Sequence, residues 1–241
     1  MYSAQRAQAN FRARIASNPY PGRGLVIGQG SAGEWLQIYW IMGRSEQSRN
    51  RRFVSEGATL RTEAVDAAKL EDPSLIIYRA MAEIDGLYVV SNGDQTDTIV
   101  DALAVGGDFT AALATREREP DAPNYTPRIS GLLDCRAGNP TIALSILRAN
   151  DGDPQVTDRV MIAPALPGPG LGYGINTYEG DGAPLPPFRG DPIWLPCAGD
   201  AESVLSTYWD ALDRDNRVAI AVKRIEPGRP GVITLINRFD A

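Results

Sequence analysis

The segment YWIMGRSEQSRNRRF (39–53) ends an apolar run and then sets four arginines, Arg44, Arg49, Arg51 and Arg52, within nine residues. Only one acid, Glu46, lies among them, so the cluster does not neutralise itself, and it stands out against a whole-chain formal charge of -6. Guanidinium groups present a planar fork of N–H donors that matches phosphate or carboxylate oxygens. The chemistry on offer is capture of an anion; the alternative is a solvated loop that keeps a strand edge soluble. PGRG (21–24) can aim backbone amides at an anion or can be a plain turn, and no GxxxxGK[ST] phosphate loop accompanies it. SNGDQTDTI (91–99) stands where a strand runs into a helix, whose first amides favour a polar ligand. Within it Asp94 reads as a helix cap. EPDAPNYTPRISG (119–131) is polar and stiffened by proline, and by composition reads as a stiff loop entering a strand through Arg128.

Histidine is absent from all 241 residues. That removes the commonest general base, the commonest metal ligand and every histidine-dependent triad. Proton transfer falls to Asp, Glu, Tyr, Lys, Cys or water, and a reaction governed by positioning and charge stabilisation fits best. Cys135 and Cys197 are too few for a disulfide framework or a metal site and read as small buried residues. The expectation is no metal and no cofactor.

These residues need elements to hold them. GLVIGQ (24–29) and EWLQIYWIM (34–42) read as two strands around a short SAG turn. Further strands are expected at 58–65, 74–84, 87–92, 127–135, 141–149, 159–165 and 171–178. Helix is expected after Asp94 or Thr96, near 108–115, and from Asp200, where Val204, Leu205, Tyr208, Trp209 and Leu212 form an apolar stripe. RVAIAVKRIE (217–226) and GVITLINRF (231–239) close the chain as a hairpin around PGRP. Strands arriving in blocks argue α+β, with two sheets face to face and helices outside. Residues 1–17, rich in Ala and Arg, read as a loose helix or arm ahead of one domain over 18–241. They hold no apolar stretch of the secretory kind, and no apolar run is long enough to span a bilayer. The net charge argues against nucleic acid as a partner, and two cysteines suit a reducing cytoplasm.

NPYPGRG, YWIMGRSEQSRNR, SNGDQTDTI and EPDAPNYTPRISG together resemble the signature segments of the archaeal-type IMP cyclohydrolase family, which has bacterial members. The likeness runs from about Asn18 to Phe188 and is densest in those blocks. It implies a four-layer αββα fold like that of N-terminal-nucleophile hydrolases without the processed nucleophile, and closure of 5-formamidoimidazole-4-carboxamide ribotide to IMP. It also implies a purine nucleoside monophosphate as the molecule bound, and a homo-oligomer. By the same resemblance, Tyr78 and Glu119 are the candidate catalytic pair, and Arg44, Asn50 and Arg51 hold the ribose phosphate. Ser91, Asn92, Asp97, Asn124, Arg128 and Tyr39 complete the substrate-binding set. Two positions depart from the family pattern: the segment 1–17 has no counterpart, and Arg79 stands beside Tyr78 where a smaller polar residue is expected. Two other readings stay open, a purine-nucleotide-binding protein without turnover and an amidohydrolase.

Overall fold

A computed structural model describes residues 2–70, 73, 76–136 and 138–240. In chain order, α1 (Tyr2–Asn10) runs into a π-helical turn (Phe11–Ala16), then β1 (Gly24–Gln29) and β2 (Trp35–Met42). The short α2 (Glu46–Arg49) precedes β3 (Arg51–Glu56), β4 (Thr59–Ala64), β5 (Arg79–Ile84) and β6 (Leu87–Ser91). Helices α3 (Gln95–Ala104) and α4 (Phe109–Ala114) separate these from β7 (Arg128–Asp134), β8 (Thr141–Ala149), β9 (Thr157–Ile162) and β10 (Leu171–Asn176). The chain ends with β11 (Ile193–Pro196), α5 (Ala201–Ala211), β12 (Arg217–Ile225) and β13 (Val232–Asn237).

The strands form one sheet of six, ordered β11-β10-β1-β2-β12-β13, and one of seven running in sequence order from β3 to β9. The fold is α+β, as expected, and neighbouring strands pair antiparallel. Alternation along each strand builds the layers. Leu25, Ile27, Tyr39 and Ile41 face inward against Met81, Val90, Ile129 and Leu144 of the second sheet. Val26, Leu36, Ile38 and Trp40 face outward and are covered by Phe11, Ile15, Val204 and Tyr208. On the opposite side, Leu87, Val89 and Leu132 are covered by Ile99, Leu103 and Leu113. A strand buried on both faces reads as an unbroken apolar run, which is why WLQIYWIM looks as it does.

Most expected elements fall within a residue or two of the observed ones, and Asp200 caps α5 by accepting the Ser203 N–H at 2.9 Å. The differences have physical causes. The segment expected as a loose helix or arm is helical but docked, because Phe11 and Ile15 are buried, with the Phe11 and Tyr208 rings edge to face at 4.9 Å. β3 was not expected, since arginine masks its alternation: Arg51 points in, Arg52 out and Phe53 in. β11 is short and proline-bounded. Of the strand expected over 74–84, residues 74 and 75 lie outside the described residues, and the strand itself begins at Arg79. The strand expected over 159–165 lies at Thr157–Ile162. Asp94 stands at the start of α3 without capping it, because its carboxylate pairs with Arg116 and Arg128 instead.

Candidate functional site

The two sheets part at one end around a cavity of about 460 Å³. Among the described residues its walls come from five separate parts of the chain: the turn before β1, the passage from β2 through α2 to β3, Ile76 ahead of β5, the loop before β7, and the connection between β10 and β11. The first of these depends on Gly22. Its φ of 72 is a left-handed conformation, and a Cβ there would stand 2.2 Å from Thr177 Oγ1. That close fit brings Arg23 to the cavity floor.

Arg23 is 8% exposed and Glu119 3%. The guanidinium meets the carboxylate as a fork, with Nη1 to Oε1 and Nη2 to Oε2 both 2.9 Å, and Nη1 also donates to the Asn92 carbonyl at 3.0 Å. Burial opposes the charge on Arg23, but the attraction of Glu119 prevails and holds it well above its ordinary pKa. Burial lifts the Glu119 carboxyl above its ordinary value, with Arg23 pulling the other way. Beside this pair, the hydroxyls of Tyr39 and Tyr78 lie 2.7 Å apart. They sit within electrostatic reach of Arg23 but behind the cavity lining. Burial, then the neighbouring Tyr78, pushes Tyr39 well above the usual phenol pKa.

The arginine cluster divides. A strand sends successive side chains to opposite faces, so Arg51 enters the cavity wall while Arg52 turns outward to Glu63. Arg49 is spent on the Gly43 carbonyl and Asn216. Arg51 is 5% exposed and donates to the carbonyls of Ser48 (2.8 Å) and Met42 (3.1 Å). Among the described residues no carboxylate forms an ion pair with it. Arg44 lines the mouth, 5.0 Å above the Tyr20 ring, which stacks on Tyr178. Tyr178 in turn hydrogen-bonds Thr126, whose hydroxyl and N–H both reach Asp121.

Of the residues singled out in the sequence, Arg44, Arg51, Glu119 and Asn124 line the cavity. Asn124 accepts the Leu185 N–H at 3.0 Å, fixing the far wall. The others stand behind it. Asn50 exchanges two 2.8 Å bonds with the backbone of Asp66. Asn92 accepts from Gln95 and from the Ile129 N–H and donates to the Pro127 carbonyl, so its amide is fully engaged in the fold. Ser91 bonds Thr96, Arg128 bonds Asp94 and Gln95, and Asp97 pairs with Arg79 at 2.6 Å on the surface. Arg79 thereby points away from Tyr78's partner. Among the described residues, no three Cys, Asp or Glu side chains gather as a metal-ligand set, and no helix is long and apolar enough to cross a membrane.

Three of the four signature blocks thus contribute most of the walls, the fourth braces them, and Ile76, Tyr178 and Leu185 complete them from outside those blocks. A profile of the IMP cyclohydrolase-like protein family matches residues 20–229. The chain belongs to this family. Among its relatives, the IMP cyclohydrolase of Methanocaldococcus jannaschii is 30% identical over 116 residues, 48% of this chain and 57% of that protein. The IMP cyclohydrolase of Methanopyrus kandleri is 33% identical over 119 residues, covering 48% of this chain and 59% of its own length. That of Methanothrix thermoacetophila is 29% identical over 146 residues, 56% of this chain and 70% of its own length. The matched part therefore spans a little over half the length of the first two relatives.

Reading the sequence alone missed Arg23, Tyr20, Asp121, Thr126 and Tyr178 as cavity residues. Arg23 lay inside a quoted block, but PGRG was read for its backbone and not for its side chain. Tyr178 carried no signal, since its partner Thr126 is 52 residues away in the chain.

Proposed function

We propose that the chain is an IMP cyclohydrolase, closing 5-formamidoimidazole-4-carboxamide ribotide to IMP with loss of water. The observation that carries this reading is Arg51: a buried cation that among the described residues has only carbonyl partners, facing a cavity in a chain of this family. A buried charge without an opposite charge is costly, and a phosphate dianion relieves that cost. Arg44 at the mouth supplies a second guanidinium for the same phosphate.

The reaction suits such a site. The carboxamide nitrogen attacks the formyl carbon of the same molecule, forming a C–N bond and a carbinolamine. The hydroxyl then leaves that carbon, the former formamido nitrogen gives up its proton, and a C=N bond and one water result. Holding the two groups together supplies much of the rate. Glu119, raised by burial, is the base that takes the attacking nitrogen's proton. Arg23, in the cavity lining, offers a positive charge to the oxygen that becomes hydroxide, and Tyr78, held by Tyr39 behind that lining, supplies its proton through an intervening water. No step requires histidine or a divalent metal. On this reading the two-sheet sandwich is of the N-terminal-nucleophile type without its processed nucleophile.

The test is turnover of the formamido ribotide by the purified protein, followed by the ultraviolet absorbance of the purine formed. Conversion to IMP is the expected result. Tight binding of IMP with no conversion would make this a nucleotide-binding protein on the same fold.

A further inference from the structure

The segment between β10 and β11 closes on itself over the cavity mouth. Glu179 N–H donates to the Pro186 carbonyl at 2.9 Å, and Phe188 N–H donates to the Thr177 carbonyl at 3.0 Å. Leu185 is buried and held by Asn124, and the Asn18 amide holds the Glu179 carbonyl at 2.9 Å. The tip of this loop makes one charged contact with the rest of the site. Asp181 pairs with Arg44, and the Gly182 carbonyl accepts from the same Nη1 at 3.0 Å. Both side chains are substantially exposed, Arg44 at 37% and Asp181 at 52%.

The three arginines of the cavity therefore have three kinds of partner. Arg23 is locked to a buried glutamate, Arg51 holds only carbonyls among the described residues, and Arg44 is held by a carboxylate on a surface loop. An exposed ion pair of this sort is weak and exchangeable. The Arg44 fork, steadied over the Tyr20 ring, keeps its orientation when the partner changes.

We propose that Asp181 is an internal competitor for the phosphate subsite and tempers its affinity for anions. In the empty site its single negative charge occupies Arg44. A phosphate dianion, bridging Arg44 and Arg51, displaces it; a neutral nucleoside cannot, and leaves the loop tip in place. Asp181 thus lowers the affinity of the site for anions, and for anions alone, so that the phosphorylated ligand is held less tightly and is released more readily than two free arginines would allow. This rests on the reading of the cavity as a nucleotide site, and its test is chosen to fail separately.

The measurement is calorimetric titration of the wild type, Asp181→Asn, Arg44→Ala and the double variant with IMP, inosine and inorganic phosphate. Thermal melts confirm that each variant is folded; a melt that fails for Asp181→Asn is answered with Asp181→Ser. Asp181→Asn is expected to bind IMP and inorganic phosphate about 3- to 5-fold tighter, the scale of a surface ion pair. Inosine affinity is expected to stay the same, and the gain to vanish in the double variant. Unchanged or weaker anion binding in Asp181→Asn overturns the proposal, as does an equal gain for inosine. Should the phosphate gain appear while the wild type neither prefers IMP nor turns over the ribotide, the competitor role stands and the cyclohydrolase reading falls. Turnover without any gain in Asp181→Asn removes the competitor role alone.

Discussion

At the scale of single residues, the site turns on a buried acid whose partner was hidden in a turn. Glu119 has nowhere to place its charge except Arg23. Arg23→Ala is expected to destabilise the fold by about 3–5 kcal/mol, the usual cost of leaving one member of a buried pair alone. That cost should grow as pH rises through the ordinary glutamate range. There the unfolded chain ionises Glu119 first while the folded one resists, so the folded state binds more protons and stability falls with pH. Denaturant titrations at several pH values measure it, and a flat difference between wild type and variant would contradict the pairing. The catalytic assignment has its own test. Tyr78→Phe removes one hydroxyl from a packed ring and should lower kcat by roughly 100-fold or more with little change in IMP affinity. In the wild type, activity should fall as pH drops through a value above the usual glutamate range, because burial holds Glu119 protonated longer. Glu119→Gln should lose that limb along with most of kcat. If both variants keep wild-type kcat, Tyr178 or an ordered water becomes the better candidate.

At the scale of elements, what is docked against what matters more than propensity. The helical segment before β1 puts Ala7, Phe11 and Ile15 under the outer face of the six-stranded sheet. It leads through residues 18–22 straight into Arg23, so its docking fixes the approach to the cavity floor. Ile15→Ala should cost about 2–5 kcal/mol, as for other fully buried aliphatic truncations. The midpoint of urea unfolding reports this directly. A loss under about 0.5 kcal/mol would mean that the segment behaves as a surface arm in solution. Elsewhere the two sheets are joined by polar side chains, Lys223 reaching the Ala58 carbonyl and Glu83, and Asn237 reaching β3. The Asn237 amide accepts the Phe53 N–H at 2.7 Å and donates to the Phe53 carbonyl at 3.0 Å, acting as a short extra rung between β13 and β3. Arg51 enters the cavity wall from the first residue of that tethered β3.

At the scale of the whole molecule, a chain of net charge -6 concentrates three arginines at one end of its sandwich. Acidic surroundings leave that cavity the evident place for a small dianion. The proposed ring closure draws on carboxylate, phenol and guanidinium groups. Activity is accordingly expected to survive exhaustive EDTA treatment and dialysis, measured as the initial rate of IMP formation. Loss of rate on chelation, restored by one divalent ion and no other, would contradict that chemistry.

Most of the strands, the helices of both outer layers and the family were legible in the sequence; β3 and β11 were not. Hydrophobic period and capping are local properties, and GLVIGQ, WLQIYWIM and the Asp200 helix carry theirs openly. Four blocks in a fixed order were enough to mark the family, because order along the chain is also a property of the sequence. The cavity was different. Which of four clustered arginines faces inward followed from the pleat of β3, a strand whose alternation polar residues concealed. The joining of Arg23 to Glu119, 96 residues apart, and of Thr126 to Tyr178, 52 apart, followed from pairings between strands remote in sequence. Asn92 and Asp94 looked like ligand contacts or caps and became braces, since a buried polar group bonds whatever the tertiary fold brings within reach. Only the packed sheets could decide that.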